Sequence, residues 1–80
     1  MKLKLALFGI TKEIVGSSEV ELTAPDSQSV AGLMEQLRTQ YPQLRELTSC
    51  AVAVNSEYAP DDYQLHERDE IALIPPVSGG

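Results

Sequence analysis

The sequence predicts an α+β fold in which one main helix packs across a mixed sheet of four or five strands. Two segments near the start alternate apolar and polar residues, as strands with one buried face do, and two later apolar segments carry their inward residues two positions apart. Between them lies one segment with apolar residues at helical spacing. One helix across one sheet buries all of these apolar faces, and 80 residues suffice for one small domain with a single core.

The first part of the chain predicts two strands joined by a loop. Residues 2–8 and 19–22 alternate and are expected to pair as antiparallel strands. Residues 9–16 predict the loop, with one helical turn around residues 12–15.

A helix is predicted next. Ser29 is expected to be its N-cap, and Pro42 is expected to end it. Leu44 and Leu47 are expected to cover the bottom of the core. The apolar residues that lie one helical turn apart and predict the buried side of the helix are Val30, Leu33, Met34 and Leu37.

The second half predicts a third strand at residues 50–55, a brief edge strand beginning at Tyr58, and a final strand at residues 70–74. Leu65 is expected to fill the core before the final strand. The first and last strands should lie side by side in the middle of the sheet, because the helix links two antiparallel pieces. This arrangement is the β-grasp, or ubiquitin-like, fold. The inward side chains are predicted to be Val52, Val54, Ile71 and Leu73.

The chain ends on Ser78-Gly79-Gly80, directly after the stiff pair Pro75-Pro76. Two glycines leave the main chain without side-chain bulk, so this end can enter a channel too narrow for other residues. The prolines hold φ at about −65° and favour an extended course. We therefore predict a β-grasp domain at residues 1–76 and a flexible C-terminal tail at residues 77–80 that projects from it.

An apolar surface is expected beside the tail, on the face of the sheet that the helix leaves open. Strand alternation points Phe8 and Ile74 outward on neighbouring strands, and Tyr58 extends the same surface. Single exposed apolar residues are common, but a contiguous patch beside a projecting tail favours a partner-binding site. Ordering the tail costs roughly 5–10 kcal/mol, which its small residues cannot offset, so the patch is expected to hold the partner.

Charge and composition argue against several functions. A net charge of −6 without a clustered basic face argues against nucleic-acid binding. No apolar run reaches the roughly 18 residues that span a bilayer, and Lys2 and Lys4 interrupt any signal-peptide core, so we expect a cytoplasmic protein without membrane contact. Cys50 and His66 are the only residues of their types, so no disulfide and no metal site are expected. Cys50 is predicted to be a buried thiol and His66 a surface residue.

Six of the twelve acidic residues fall between positions 57 and 70. This stretch is either a solvated loop or a docking surface for a basic partner, and the sequence leaves both open. The six residues are Glu57, Asp61, Asp62, Glu67, Asp69 and Glu70.

Residues 69–80, which read Asp-Glu-Ile-Ala-Leu-Ile-Pro-Pro-Val-Ser-Gly-Gly, resemble the end of the small subunit of molybdopterin synthase, the sulfur carrier of molybdenum-cofactor synthesis. The Pro-Pro-Val-Ser-Gly-Gly ending is specific, whereas a bare Gly-Gly is not. The resemblance spans essentially the whole chain. The other similar segments are Phe8-Gly9, Lys12-Glu13 and Val15-Gly16 in the first strand and following loop, and Ala53-Val54-Asn55 with Tyr58 in the third strand and turn.

The resemblance implies that Gly80 is adenylated by a ubiquitin-activating-type enzyme using ATP and is then converted to a thiocarboxylate. The tail would next enter the large synthase subunit and pass its sulfur to a cyclic pyranopterin phosphate to build the dithiolene. Two carriers on a dimer of large subunits are implied. The chain would be a non-catalytic subunit with no bound cofactor, since it has no phosphate-binding loop for ATP. The predicted partner-binding residues are Phe8, Tyr58, Ile74, Pro75, Pro76, Val77, Ser78 and Gly79.

Two departures and three alternatives accompany this resemblance. Arg68 stands where the family often has glycine, so the turn before the last strand is expected to differ in shape. Leu73 and Ile74 occupy positions that can be aromatic, which leaves the patch smaller.

The alternatives are a carrier for thiamine synthesis or tRNA thiolation, a ubiquitin-like modifier conjugated to lysines, and a binding module with an incidental tail. The pair Pro75-Pro76 favours the molybdenum pathway over the other carriers.

Overall fold

The structure, a computed structural model that describes residues 1–47 and 50–75, consists of a five-stranded sheet with a helix across one face. The helices are α1 (Gly9–Val15), α2 (Val30–Gln40) and a short 3₁₀ helix (Pro42–Glu46). The strands are β1 (Lys2–Leu7), β2 (Glu19–Thr23), β3 (Gln28–Ser29), β4 (Ala51–Val54), β5 (Glu57–Tyr58), β6 (Gln64–Leu65) and β7 (Ile71–Ile74).

The main sheet has the strand order β2-β1-β7-β4-β5. Strands β1 and β7 run parallel in its middle, and the other neighbours are antiparallel. The predicted mixed sheet, with the first and last strands side by side, is therefore confirmed. Because β1 and β7 point the same way, the chain leaves β7 at the same end of the sheet at which β1 enters α1.

The core lies between α2 and one face of the sheet. All four residues predicted to form the buried side of α2 are buried, as is Leu44 below them. Burying each such aliphatic side chain contributes about 1.5–3 kcal/mol. The sheet contributes Leu3, Leu5, Leu7, Leu22, Val52, Val54, Ile71 and Leu73, and Leu65 of β6 is buried among them.

Side-chain and loop groups hold the first turn of α2. The Ser29 hydroxyl accepts a hydrogen bond from the Gly32 N–H at 3.1 Å, which confirms the predicted N-cap. The Ala31 N–H donates to the Asp61 carbonyl at 2.9 Å, so the loop before β6 satisfies a further amide of this turn. The helix ends before Pro42, as predicted, and Pro42 begins the 3₁₀ helix. None of the helices in the described ranges is long and apolar enough to cross a membrane.

The prediction of a loop at residues 9–16 was wrong, because residues 9–15 form the two-turn helix α1. Gly9 is the first residue of α1 and has φ 55°, and Gly16 caps its C-terminus with φ 85°, its N–H donating to the Lys12 carbonyl at 2.8 Å. Ile14 and Val15 pack against the core. So short a helix shows only one apolar repeat, and tertiary contacts stabilise it rather than local propensity.

The strand pair β3–β6 was not predicted. Each strand has two residues, too few for an alternating pattern to be visible in the sequence. The turn between β4 and β5 contains Asn55 and Ser56, with φ 52° and 71°. Two positive φ values in a two-residue connection form the tight hairpin that makes Tyr58 an edge-strand residue, as predicted.

Candidate functional site

The candidate site is the face of the sheet that α2 leaves uncovered, called the open face below. One row of paired residues crosses it in register: Ala53 lies opposite Tyr58 and Ala72, and Ala6 lies opposite Ala72 and Glu19. Three of these five residues are alanines. Because alanine side chains are short, the centre of the row forms a shallow apolar depression.

A second row lies closer to the end of β7. Ala51 pairs with Ile74, and Leu7 pairs with Leu73, so the next residue after Leu7 falls opposite Ile74. That residue is Phe8, whose backbone stays extended at φ −134° and ψ 152°. Alternation therefore continues through Phe8 and places it on the open face. The two rows together form what we call the apolar patch: Ala6, Phe8, Ala51, Ala53, Tyr58, Ala72 and Ile74.

The large side chains of this region are accessible. Phe8 is 50% exposed and Tyr58 is 74% exposed, while Ile74 is half-buried. Sequence reasoning missed Ile10, which lies on α1 and is 42% exposed. The sequence did not point to Ile10 because residues 9–16 predict a loop. The structure thus brings Phe8, Tyr58 and Ile74 onto one surface, and their partner-binding role stays a prediction.

The other end of the open face is charged. Lys4 pairs with Glu21 across β1 and β2, and the Lys2 Nζ lies 3.9 Å from the Glu21 Oε1. These residues line a groove of about 580 Å³ that also includes Arg68 and shares Ala6 with the apolar patch. The open face is therefore graded, with mixed charge at the start of β1 and apolar character where the tail begins.

The tail begins at Pro75, which is half-buried beside α1. A Cβ atom added to Gly9 would lie 3.2 Å from the Pro75 Cγ, so the glycine backbone and the proline ring are in close contact. Residues 76–80 lie outside the described ranges, and so do the predictions for Pro76, Val77, Ser78, Gly79 and Gly80. Of the predicted partner-binding residues from Pro75 onward, Pro75 alone is described, and it adjoins the apolar patch through Ile74.

The turn before β7 is held by Asp69 and Asn55. The Asp69 carboxylate accepts hydrogen bonds from the His66 N–H at 2.8 Å and from the Asn55 Nδ2 at 3.0 Å. The Asp69 N–H donates to the His66 carbonyl at 3.0 Å, which closes the turn around Arg68. Arg68 is not among the described non-glycine residues with positive φ. This turn therefore accommodates arginine without backbone strain, and His66 is exposed on its surface, as predicted.

The acidic stretch divides into two groups. Asp69 is engaged in the turn, and the Glu67 Oε1 accepts a hydrogen bond from the Lys2 N–H at 3.1 Å. Glu57, Asp61, Asp62 and Glu70 are exposed. The stretch is thus partly a structural turn and partly a set of solvent-exposed acidic residues.

Cys50 was predicted to be a buried thiol, whereas the structure shows it half-buried at the edge of the core, directly before β4. Burial raises the pKa of the Cys50 thiol, and the nearby charge of Arg38 lowers it by a smaller amount. The thiolate is the reactive form, so a raised pKa leaves less of it at a given pH. This chemistry does not favour Cys50 as a site that carries sulfur.

We expect the Cys50 thiol to react with iodoacetamide more slowly than free cysteine at about pH 8. The raised pKa reduces the thiolate fraction, and partial burial limits access. Mass spectrometry of the alkylated chain over time measures the rate. The same chain in urea is the control, and equal rates in the folded and unfolded chains would contradict the expectation.

Within residues 1–47 and 50–75, no group of three or more histidine, cysteine, aspartate or glutamate side chains could hold a metal ion.

Known proteins are similar in sequence to this chain over most of its length. The ThiS family matches residues 5–80 of the chain. The molybdopterin synthase sulfur carrier subunit of Arabidopsis thaliana is 36% identical over 81 residues, covering 100% of this chain and 84% of that protein. The subunit of the same name from Dictyostelium discoideum is 38% identical over 81 residues, covering 96% of this chain and 94% of that protein.

Solved structures show the same fold over nearly the whole chain. Small archaeal modifier protein 1 of H. volcanii has a TM-score of 0.82 and 25% identity, covering 95% of this chain and 98% of that one. A chain from a complex of subunits 1 and 2 of molybdopterin-converting factor from Helicobacter pylori 26695 has a TM-score of 0.68 and 25% identity, covering 100% of both chains. The similar proteins therefore include both sulfur carriers and a modifier.

Proposed function

The chain belongs to the ThiS family, and from that premise we propose that it is the sulfur carrier subunit of a molybdopterin synthase. The observation that carries the proposal is the continuity of the apolar patch with the root of the glycine-ended tail. Full-length relatives with this name support it. The proposal places the chain in the cytoplasm, where the ATP and the reduced sulfur donors that it needs are found.

The reacting group in this proposal is the carboxylate of Gly80. A carboxylate is a poor electrophile, so an oxygen of Gly80 first attacks the α-phosphorus of ATP, and pyrophosphate leaves. Hydrosulfide then attacks the carbonyl carbon of the acyl adenylate, AMP leaves, and the terminus becomes a thiocarboxylate. A ubiquitin-activating-type adenylyltransferase binds the ATP and supplies the catalytic groups. Neither Gly79 nor Gly80 obstructs the approach of the sulfur, because glycine has no side chain.

The second partner is the large subunit of the synthase. The apolar patch supplies the area that holds the domain against it, while the tail carries sulfur to the cyclic pyranopterin phosphate. The likeness to a chain from a two-subunit complex supports such a partner. In this assembly the chain donates sulfur and has no catalytic site of its own.

Incubation with the activating enzyme, ATP and a sulfur donor is expected to raise the intact mass of the chain by the difference between one sulfur and one oxygen. The physical reason is replacement of one Gly80 carboxylate oxygen. Intact-mass spectrometry measures the change, and fragmentation assigns it to residue 80. Omission of ATP is the control. An unchanged mass under conditions where the enzyme loads a known carrier would contradict the proposal.

A ubiquitin-like modifier is the second candidate, favoured by the likeness to small archaeal modifier protein 1. The same acyl adenylate would then be attacked by a lysine amine, leaving an amide bond to another protein. The two functions share activation and differ in the nucleophile. A lysine-linked ladder that contains this chain, together with no sulfur transfer to the large subunit, would favour the modifier.

A further inference from the structure

We propose that the corner formed by Phe8, Gly9 and Thr11 sets the direction in which the tail leaves the domain. Gly9 and Thr11 are then positioning residues for the chemistry at Gly80. This inference rests on the proposed function and adds to it a structural feature that orients the reactive C-terminus.

The corner is held by an unusually buried hydroxyl. Thr11 is 0% exposed and is the one buried polar residue in the described part of the chain. Its hydroxyl donates to the Phe8 carbonyl at 2.6 Å and accepts from the Phe8 N–H at 3.1 Å. The Thr11 N–H also donates to the Phe8 carbonyl at 3.2 Å. Both backbone groups of Phe8 are thus tied to one side chain, which holds the orientation of the corner.

The corner touches the root of the tail at a single glycine. Gly9 has φ 55°, a backbone conformation that favours glycine, and a Cβ atom there would lie 3.2 Å from the Pro75 Cγ. Pro75 has a rigid ring and follows β7, the parallel neighbour of β1. Any side chain at position 9 therefore has to displace the proline or the corner.

A small rotation at this root matters because the reactive carbonyl is remote from it. Five residues follow Pro75, and they reach at most about 17 Å when extended. A change of direction at Pro75 shifts the region that the end of the tail can reach, and misplacement of a reacting group by about 1 Å can reduce a rate 100-fold. The contact between Gly9 and Pro75 is thus suited to limit where Gly80 can go.

The main test compares Gly9→Ala with Gly16→Ala in the full-length chain. Both glycines lie at the ends of α1 and have positive φ, so alanine strains the backbone at either position. Position 16 has nothing within 4 Å of an added Cβ, whereas position 9 meets Pro75. We expect Gly9→Ala to lower kcat for sulfur loading about tenfold with KM within about twofold, and Gly16→Ala to leave both near the wild-type values. A raised KM with unchanged kcat would assign the contact to docking and overturn the inference.

A second readout does not depend on activity. We expect Gly9→Ala to shift the amide NMR signals of residues 77–80 and Gly16→Ala to leave them in place. Unshifted tail signals in Gly9→Ala would overturn the inference, even in a chain that loads sulfur. Failure of the wild-type chain to load sulfur would instead contradict the proposed function, so the two failures are distinguishable.

Substitutions at Thr11 give an independent test, in which Thr11→Ser keeps the hydroxyl that Thr11→Val removes. Thr11→Val keeps the shape but removes the hydroxyl that ties both backbone groups of Phe8. We expect it to reproduce the loss in kcat and the shifted tail signals, and Thr11→Ser to restore both toward wild type. Equal behaviour of the valine and serine variants would show that the hydroxyl does not position the tail.

Discussion

Deletion of Gly79 and Gly80 is expected to abolish sulfur loading. The shortened chain ends on Ser78, whose side chain would occupy the narrow channel, and its reach falls by about 7 Å. The activating enzyme would then have no carboxylate within range of ATP. Release of pyrophosphate and intact mass together measure the loss, which should exceed about 1,000-fold because a reacting group is removed from its site.

A second variant separates the effect of tail length from the effect of tail width. Changing both glycines to alanine keeps the chain length and adds one methyl group at each position. We expect residual but strongly reduced loading, since the methyl groups obstruct the channel while the carboxylate still arrives. Thermal unfolding of all three chains checks the fold. Loading of the truncated chain at the wild-type rate would contradict the role assigned to Gly79 and Gly80.

Replacing Phe8 with lysine is expected to weaken the complex with the large subunit at least about 30-fold, which corresponds to a loss of about 2 kcal/mol. Phe8 is the half-exposed aromatic residue beside Ile74 and the tail root, and a lysine there would place an unpaired charge in an apolar interface. Calorimetric titration of the large subunit with the variant measures the affinity. The free energy of unfolding should change by about 1 kcal/mol or less, because half of the side chain is already in water.

Thr39→Lys is the control for this change. Thr39 is exposed on α2, on the opposite side of the sheet, and the substitution adds the same charge to a chain of net charge −6. We expect its affinity for the large subunit to stay within about threefold of wild type, since rim and remote charges contribute little. Equal affinities of the Phe8 and Thr39 variants would remove the apolar patch from the interface.

Most elements of the fold could be predicted because their patterns are local. Alternation predicted β1 and β2, short apolar segments predicted β4 and β7, and apolar residues one helical turn apart predicted α2 with its cap at Ser29. The elements that were missed carry little pattern. Helix α1 has two turns between glycines, and β3 and β6 have two residues each, so long-range contacts stabilise them more than local propensity does.

The candidate site could be predicted in part for the same reason. Parity along β1 and β7 pointed Phe8 and Ile74 outward, and the structure places both on the open face. The exposure of Ile10 on α1 and the contact of Gly9 with Pro75 could not be predicted, because they depend on an unpredicted helix and on a neighbour that is remote in sequence. Gly9 and Gly16 flank a segment with apolar residues four apart, which is the signal that could have revealed α1.

The sequence alone determined a β-grasp domain with a glycine-ended tail, since period-two and helical patterns and a Pro-Pro-Val-Ser-Gly-Gly ending are properties of short segments. Only the tertiary structure decided the register that aligns Tyr58 with three alanines and the packing of Gly9 against Pro75. Register and long-range contacts follow from how the whole core packs, because shifting one strand by one residue would turn its buried side chains to water. The apolar patch beside the tail therefore forms only when the strands of the sheet have assembled.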